Sequence, residues 1–523
     1  MKKGFFATIL SGSFIALHLA AQTVSPPAIQ WQRSFGGTNS EFAYCIRQTS
    51  DGGFIAGGIA GGGTGGNKTS PGLGREDYWV VRLNRHGDKL WDRAFGGDQG
   101  EVLFDLQQTA DGGFILVGWS LSSNTGNKTS PGLGRLDGWV VRLDAEGNPL
   151  WDKSYGSTNV EELHSVQLTT NGGFVLAGMA AYPNPPDYWV LWIDGDGNVI
   201  RERTFGGSNT ENYPTVRLAT TGSYVIAGSS TSPASGSKTS SPFGSGDMWA
   251  LRLDANGDKM WDRSYGGTEP EQFATIDSTA DGGFVMAVAS SSPASGNKTS
   301  PSFGMDDLWV VRVDEAGNRL WDQSFGGSGE EFAAQIRQTA DGGYILAGSS
   351  ASGISGNKTT PFYGGPNYPW AGGDFWVVRL DANGNKLWEQ SFGGSKGDQL
   401  QSIMQCSDGG FILAGFSASP ADGNKTTEQF GSGDFWVIKL APDALSMPPT
   451  LRALPQSNED IRHRGFRFVV DGRSNQNCVI EHSTDLVMWI SFQTNRLAQP
   501  SLAMEDLSAT NASARFYRAR VVP

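Results

Sequence analysis

Seven acidic residues stand at one place in a repeated stretch of this chain. Glu41, Glu101, Glu161, Glu211, Glu271, Glu331 and Asp398 each close a motif of the form FGGxxxE, with Phe or Tyr in first place. A circle of carboxylates could hold a hard cation through oxygen ligands, and a structural calcium ion is the metal that suits it. A simpler reading needs no ion: each acid accepts backbone N–H bonds from its own glycine turn or pairs with the adjacent repeat. A second series, Asp77, Asp137, Asp187, Asp247, Asp307, Asp374 and Asp434, precedes a tryptophan by two. It is expected to fix the return of a loop by side-chain to backbone bonds. No other cofactor is implied.

Departures from a repeat carry more functional information than the repeat, because symmetry gives them no structural reason. The third copy shortens its loop to AYPNPPD (181–187) and brings in Tyr182, Tyr188, Glu162, His164 and Trp192, which predicts a notch. The sixth copy lengthens its loop to PFYGGPNYPW (361–370), and Tyr363, Tyr368 and Trp370 there would suit stacking on sugar rings. Packing of that loop onto itself is the alternative. Nucleophilic catalysis leaves no trace: GxSxG is absent, and His86, His164, His463 and His482 are scattered without zinc spacing. Paired carboxylates for glycoside cleavage stay open, because distance along a chain does not report distance across a circle of repeats. The DxxGN turns lack the distal glutamate of a calcium loop. The GNKT loops at Asn67, Asn127, Asn297, Asn357 and Asn424 match the N-glycosylation pattern but lack the setting of a phosphate loop, so a structural asparagine is the default.

These residues sit in a cassette whose FGGxxxE elements begin at Phe35, Phe95, Tyr155, Phe205, Tyr265, Phe325 and Phe392, at spacings of 60, 60, 50, 60, 60 and 67. Such a repeat means one architectural unit reused. In the second copy, 101–109, 114–120, 139–144 and 150–155 read as strands joined by DGG and AEGN turns. Four antiparallel strands per copy make a propeller blade. The seventh copy stops after its third strand, while an unpaired fourth strand, IQWQRSFGG (29–37), stands at the start of the array. If that segment completes the last blade, a seven-bladed β-propeller closes on itself and no sheet edge stays open. Trp79, Trp139, Trp189, Trp249, Trp309, Trp376 and Trp436, with Trp31, Trp91, Trp151, Trp261, Trp321 and Trp388, occupy two cassette positions and read as packing between blades; Arg201 replaces the second tryptophan once. In a meander, alternate turns share a face, so the long loops and the FGGxxxE connections crowd one side, where function belongs.

Residues 1–21 combine Lys2 and Lys3 with an apolar run and small residues, the pattern of a secretory signal. Three cysteines exclude a disulfide framework, and Cys45 and Cys406 differ in register by four residues, so free thiols are expected. The net charge of −13, without basic blocks, argues against nucleic acid as a partner. No segment has the length of a membrane span. After a linker at 442–450, residues 451–523 change to short alternating strands and more arginine, which reads as a small β-sandwich with Trp489 in its core.

Two resemblances follow. The patterns VIEHSTDLVMW (479–489), TN (494–495) and RFYRA (515–519) resemble a C-terminal module of exported proteins in Verrucomicrobia-like bacteria, which implies an accessory, surface or sorting role. The cassettes resemble secreted bacterial repeat proteins with FGGSxxE, QTxDGGFILAG and DxWVVRLDxxGN, which implies a β-propeller and supplies no catalytic motif. The expectation is an all-β protein: a signal peptide (1–21), a seven-bladed β-propeller closed by its N-terminal strand (22–441) and a β-sandwich. It would be secreted, monomeric and non-catalytic, with a polysaccharide or surface protein as partner. The rival is a carbohydrate-active enzyme, a glycoside hydrolase or lyase, using loop-face carboxylates.

Overall fold

The computed structural model describes residues 24–443 apart from 182–184, 220–221 and 366–372, and most of 450–521. Alternating apolar residues, β-branched and aromatic side chains and glycine turns yield strands throughout. Among the described residues, seven four-stranded antiparallel sheets follow one another along the chain. Each takes its strands in sequence order, as in Glu101–Gln108, Phe114–Ser120, Asp137–Leu143 and Pro149–Tyr155 of the second sheet. The turns between first and second strands need a left-handed backbone, which Gly112 supplies with φ at 86°.

The seventh sheet is the exception in connectivity. Its strands Asp398–Gln405, Phe411–Ser417 and Asp434–Leu440 are completed by Ile29–Phe35, which pairs antiparallel with Asp434–Leu440. This strand does the work that the KLWDxSF strand does elsewhere. In other sheets an acid after that strand's tryptophan receives the indole N–H of the third strand, as Asp92 does from Trp79 at 3.1 Å and Asp322 from Trp309 at 2.9 Å. In the seventh sheet Gln32 takes the N–H of Trp436 at 3.1 Å and the backbone N–H of Thr426 at 3.1 Å.

The seam between the seventh and first sheets matches the others. Trp91 meets Phe114 of the next sheet edge-on at 6.4 Å, and Trp31 meets Phe54 the same way at 5.8 Å. The Gln108 side chain accepts the Ser50 N–H at 2.8 Å, and Gln48 accepts that of Ser407 at 2.8 Å. One core cluster joins Phe54 and Trp79 of the first sheet to Ile412, Phe435 and Val437 of the seventh. The third sheet also repairs its own irregularity. Arg201 stands where a tryptophan is expected, and Trp192 fills the slot instead, edge-on to Tyr224 at 5.8 Å with the Arg201 guanidinium over its ring at 5.6 Å. Trp192 is therefore core, not part of a notch.

The C-terminal stretch forms two three-stranded sheets whose apolar faces share a core of Phe468, Val470, Cys478, Ile480 and Met504. Trp489 lies outside that core, contrary to expectation: it is half-exposed and carries the Arg518 guanidinium over its ring at 4.3 Å. All three cysteines are buried thiols, and burial pushes that of Cys406 up to about 12. No described helix is long and apolar enough to cross a membrane.

Candidate functional site

The seven acids head the first strands, and they are buried. Each accepts a backbone N–H from its own turn at 2.8–3.2 Å, from Gly37, Gly97, Ser157, Gly207, Gly267, Gly327 and Gly394 in order. Serine hydroxyls from the second strands add bonds of 2.7–2.9 Å to Glu101, Glu211, Glu271 and Glu331. The proposed metal ring is corrected accordingly: the acids point into separate junctions between sheets, and no three metal-ligating side chains converge among the described residues. Positive charge is supplied instead by buried lysines of the long loops, Lys68 lying in electrostatic reach of Glu41, Asp77 and Asp92. The loop asparagines are structural too: Asn127 accepts the Gly96 N–H at 2.9 Å and donates to the Ala94 carbonyl at 2.9 Å.

What the sheets enclose is more open to a ligand. Their first strands are in contact from sheet to sheet, including Glu41–Gln48 with Asp398–Gln405, and all seven line a central channel. Five of these strands carry a bulge at the fourth residue, so that Tyr44, Phe104, His164, Ala334 and Gln401 drop out of the ladder. A bulge re-aims a side chain. These five residues line both a cavity of about 570 Å³ at the channel mouth and one of about 150 Å³ below it. The mouth lies at the long-loop end, because Glu41 pairs with Ala60 and Asp398 with Ser417, after which the long loops begin.

The fourth and fifth sheets reach the mouth differently. Their aromatic stands one place earlier, and the backbone turns left-handed at Tyr213 (φ 53°) and Phe273 (φ 59°). A bulky residue there costs about 1–2 kcal/mol, and such strain collects at functional sites. The result is an unbroken arc of rings. Phe416 stacks on Phe42 at 5.0 Å, Phe42 leads to Tyr44 at 4.8 Å, and Tyr44 to Phe104 at 5.2 Å. Phe104 meets His164 edge-on at 4.9 Å, His164 adjoins Tyr213 at 5.5 Å, and Tyr213 adjoins Phe273 at 5.4 Å. Tyr213 and Phe273 stay 44% and 43% exposed, so the arc has faces to offer, and Phe332 at the same mouth is 38% exposed. His164 Nε2 bonds Glu162 at 2.9 Å, while its Nδ1 is buried without a partner.

Below the arc lies a polar waist. Arg47 donates to Asp105, Arg337 donates to Asp277 at 3.1 Å, and Arg217 Nε stands 3.8 Å from the same Asp277. Arg217 also donates through Nη1 to the Val216 carbonyl at 2.8 Å and to the Ser165 hydroxyl at 3.3 Å. Burial, with the charge of Arg337 nearby, lowers Arg217 to about 9. Asp105 also accepts the N–H groups of Leu106 and Val166 at 2.9 and 3.1 Å.

The residues singled out from the sequence divide as follows. His164, with Glu162 bonded to it, is in the channel. Tyr188 is corrected to a core residue: its ring stacks on Trp249 at 5.0 Å and its hydroxyl donates to the Trp249 carbonyl at 3.2 Å. It repeats Tyr78, which donates to the Trp139 carbonyl at 2.9 Å, so it was never a departure. Tyr363 is half-buried in the sixth loop, tied by its N–H to Asp374 at 2.6 Å. Tyr182, Tyr368 and Trp370 lie outside the described residues. The arc itself was missed. Its signal was present in the first strands, which read EFAYCIRQ, EVLFDLQQ, EELHSVQL, ENYPTVRL, EQFATIDS, EFAAQIRQ and DQLQSIMQ and vary while their partner strands hardly do.

No family model matches the chain. Regulatory protein FlaEY of Caulobacter vibrioides is 24% identical over 267 residues, 49% of this chain and 26% of that protein, so the match spans about a quarter of the relative's length. Among solved structures, the polysaccharide lyase Uly1 is similar with a TM-score of 0.47 and 8% identity, over 79% of this chain and 99% of that one. The Neurospora crassa Pan2 WD40 domain gives 0.41 and 13%, over 76% and 88%. A protein of unknown function from Dyadobacter fermentans gives 0.40 and 12%, over 80% and 100%.

Proposed function

We propose that residues 22–441 form a seven-bladed β-propeller sealed by its N-terminal strand, joined through 442–450 to a β-sandwich at 451–523. In this reading the protein is exported and acts as a non-catalytic binding or scaffold protein that takes a polysaccharide at the mouth of its central channel. The observation that carries the reading is the aromatic arc from Phe416 to Phe273, two members of which are held against backbone preference. Rigid rings suit the apolar faces of sugars and lose little freedom on binding. Catalysis ranks second, because Asp105, a carboxylate at the channel lining, is committed to Arg47 and two backbone N–H groups.

Glycan-array screening of the exported chain tests the reading directly, and an array blank for every polysaccharide would refute it. Tyr213→Gly and Phe273→Gly sharpen the test. Glycine accepts the left-handed backbone, so the strain removed, about 1 kcal/mol, should offset the ring packing lost and apparent Tm should change little. Binding should weaken roughly tenfold or more as a stacking face is lost. Unchanged binding in both variants would move the site elsewhere.

A further inference from the structure

Resting on that reading, we infer that the saccharide is acidic, and that a carboxylate on it is received at the channel waist by Arg217 and Arg47. Three guanidinium groups, Arg47, Arg217 and Arg337, meet two carboxylates there, Asp105 and Asp277. The chain as a whole carries −13, so a surplus of positive charge at its axis runs against its composition. Each aspartate is already bonded to an arginine and to the backbone, and two carboxylates leave one guanidinium charge unmatched. Asp105 holds Arg47 and two backbone N–H groups, and Asp277 takes the Gln338 N–H at 2.9 Å beside Arg337.

Two buried groups are left wanting partners. Arg217 Nε has no hydrogen-bond acceptor, and neither has His164 Nδ1 a partner; both side chains line the lower cavity. A buried polar group without a partner costs free energy; a ligand carboxylate would recover it at the Arg217 Nε–H, and a sugar O–H at His164 Nδ1, which is the acceptor while Nε2–H donates to Glu162. The cavity at the waist adjoins the mouth, since Tyr44, Phe104, His164, Thr215 and Thr275 line both. From the bulge to the arginine position is three residues, about 10 Å of strand. A sugar ring stacked on the arc can therefore direct a carboxylate downward. Guanidinium matches carboxylate geometry, and charge-assisted bonds are the strong ones. The sequence departs from the cassette in the same sense, because arginine occupies this position in three sheets and Gln107, Gln167, Asp277 or Met404 in the rest.

The test sets uronate polysaccharides (polygalacturonate, alginate and hyaluronate) beside their carboxyl-reduced forms on one array, probed with the full exported chain at fixed ionic strength. At least one uronate polymer should bind roughly tenfold more tightly than its reduced form, a preference that salt weakens. Arg217→Gln should bring the pair to parity while leaving binding of the reduced form in place. Arg217→Lys keeps the charge but lacks the Nε donor, so it should retain part of the preference and guards against a folding defect in the glutamine variant. Equal binding of acidic and reduced polymers, or a preference that survives Arg217→Gln, would overturn the inference while leaving the saccharide reading intact. Binding of neither form, with a blank array, would overturn both.

Discussion

A chain lacking residues 24–37 is expected to fail as a folded unit, with an apparent Tm lower by on the order of 10 °C or more and a tendency to aggregate. The segment leaves the seventh sheet without its fourth strand and exposes the edge of Asp434–Leu440. It also removes the buried Phe35 and the half-buried Trp31 that meets Phe54 across the seam. At about 1.5–3 kcal/mol for each large apolar side chain, with the ladder bonds added, the loss approaches a stability of about 5–15 kcal/mol. A single substitution isolates the polar part. Gln32→Ala strands the Trp436 indole N–H and the Thr426 backbone N–H, which should cost about 1–3 kcal/mol. Gln32→Asp restores the residue that the second sheet carries as Asp152 and should be tolerated. Thermal unfolding followed by circular dichroism decides the matter, and a truncated chain as stable as its parent would show that the seam is ornamental.

The strand content and the place of this closing segment were legible because both rest on short-range rules. Glycine turns, tryptophans at fixed intervals and a strand missing at one end and spare at the other are properties of the sequence itself. The channel was not legible in the same way. Its lining comes mainly from seven first strands that are 50 to 67 positions apart, and only closure puts Phe42 beside Phe416 or the charge of Arg47 near Arg337. The bulge hid them further, since Tyr44 and Cys45 break the alternation by which inward and outward residues are told apart. Tyr188 misled for the opposite reason. An aromatic before the core tryptophan looks like a local feature until Tyr78 is seen to make the same bond from the first sheet.

Apparent Tm should be highest near pH 5 and fall as pH rises to 8.5. At every junction between sheets, an aspartate of the DxW series faces the acid that heads the next first strand, as Asp434 faces Glu41, Asp187 faces Glu211 and Asp374 faces Asp398. Burial, aided by the neighbouring carboxylate, raises Glu41 to about 7, Asp187 to about 7 and Asp374 to about 8, and burial raises Asp398 to about 6. These groups hold protons in the folded chain that the unfolded chain releases near pH 4. Their contribution is complete below that point and is lost as pH passes through 6 to 8. Asp92, Asp262 and Asp322 act with the opposite sign. Despite burial, hydrogen bonds from lysine, threonine, serine or tryptophan hold them below the usual range, so what they add is present at pH 5 and disappears only in stronger acid. The buried lysines, lowered by burial, lean against the alkaline slope only as pH nears their own titration. Asp374→Asn makes the sign visible at one junction. An amide can accept the Tyr363 N–H as the carboxyl does and carries no charge beside Asp398, standing in permanently for the protonated acid. The variant should match the parent at pH 5 and exceed it at pH 8.5 by on the order of 2 kcal/mol. A variant that loses stability at pH 8.5 would mean that Asp374 works there as an anion, and that the junctions are held by the lysine charges and not by neutral acids.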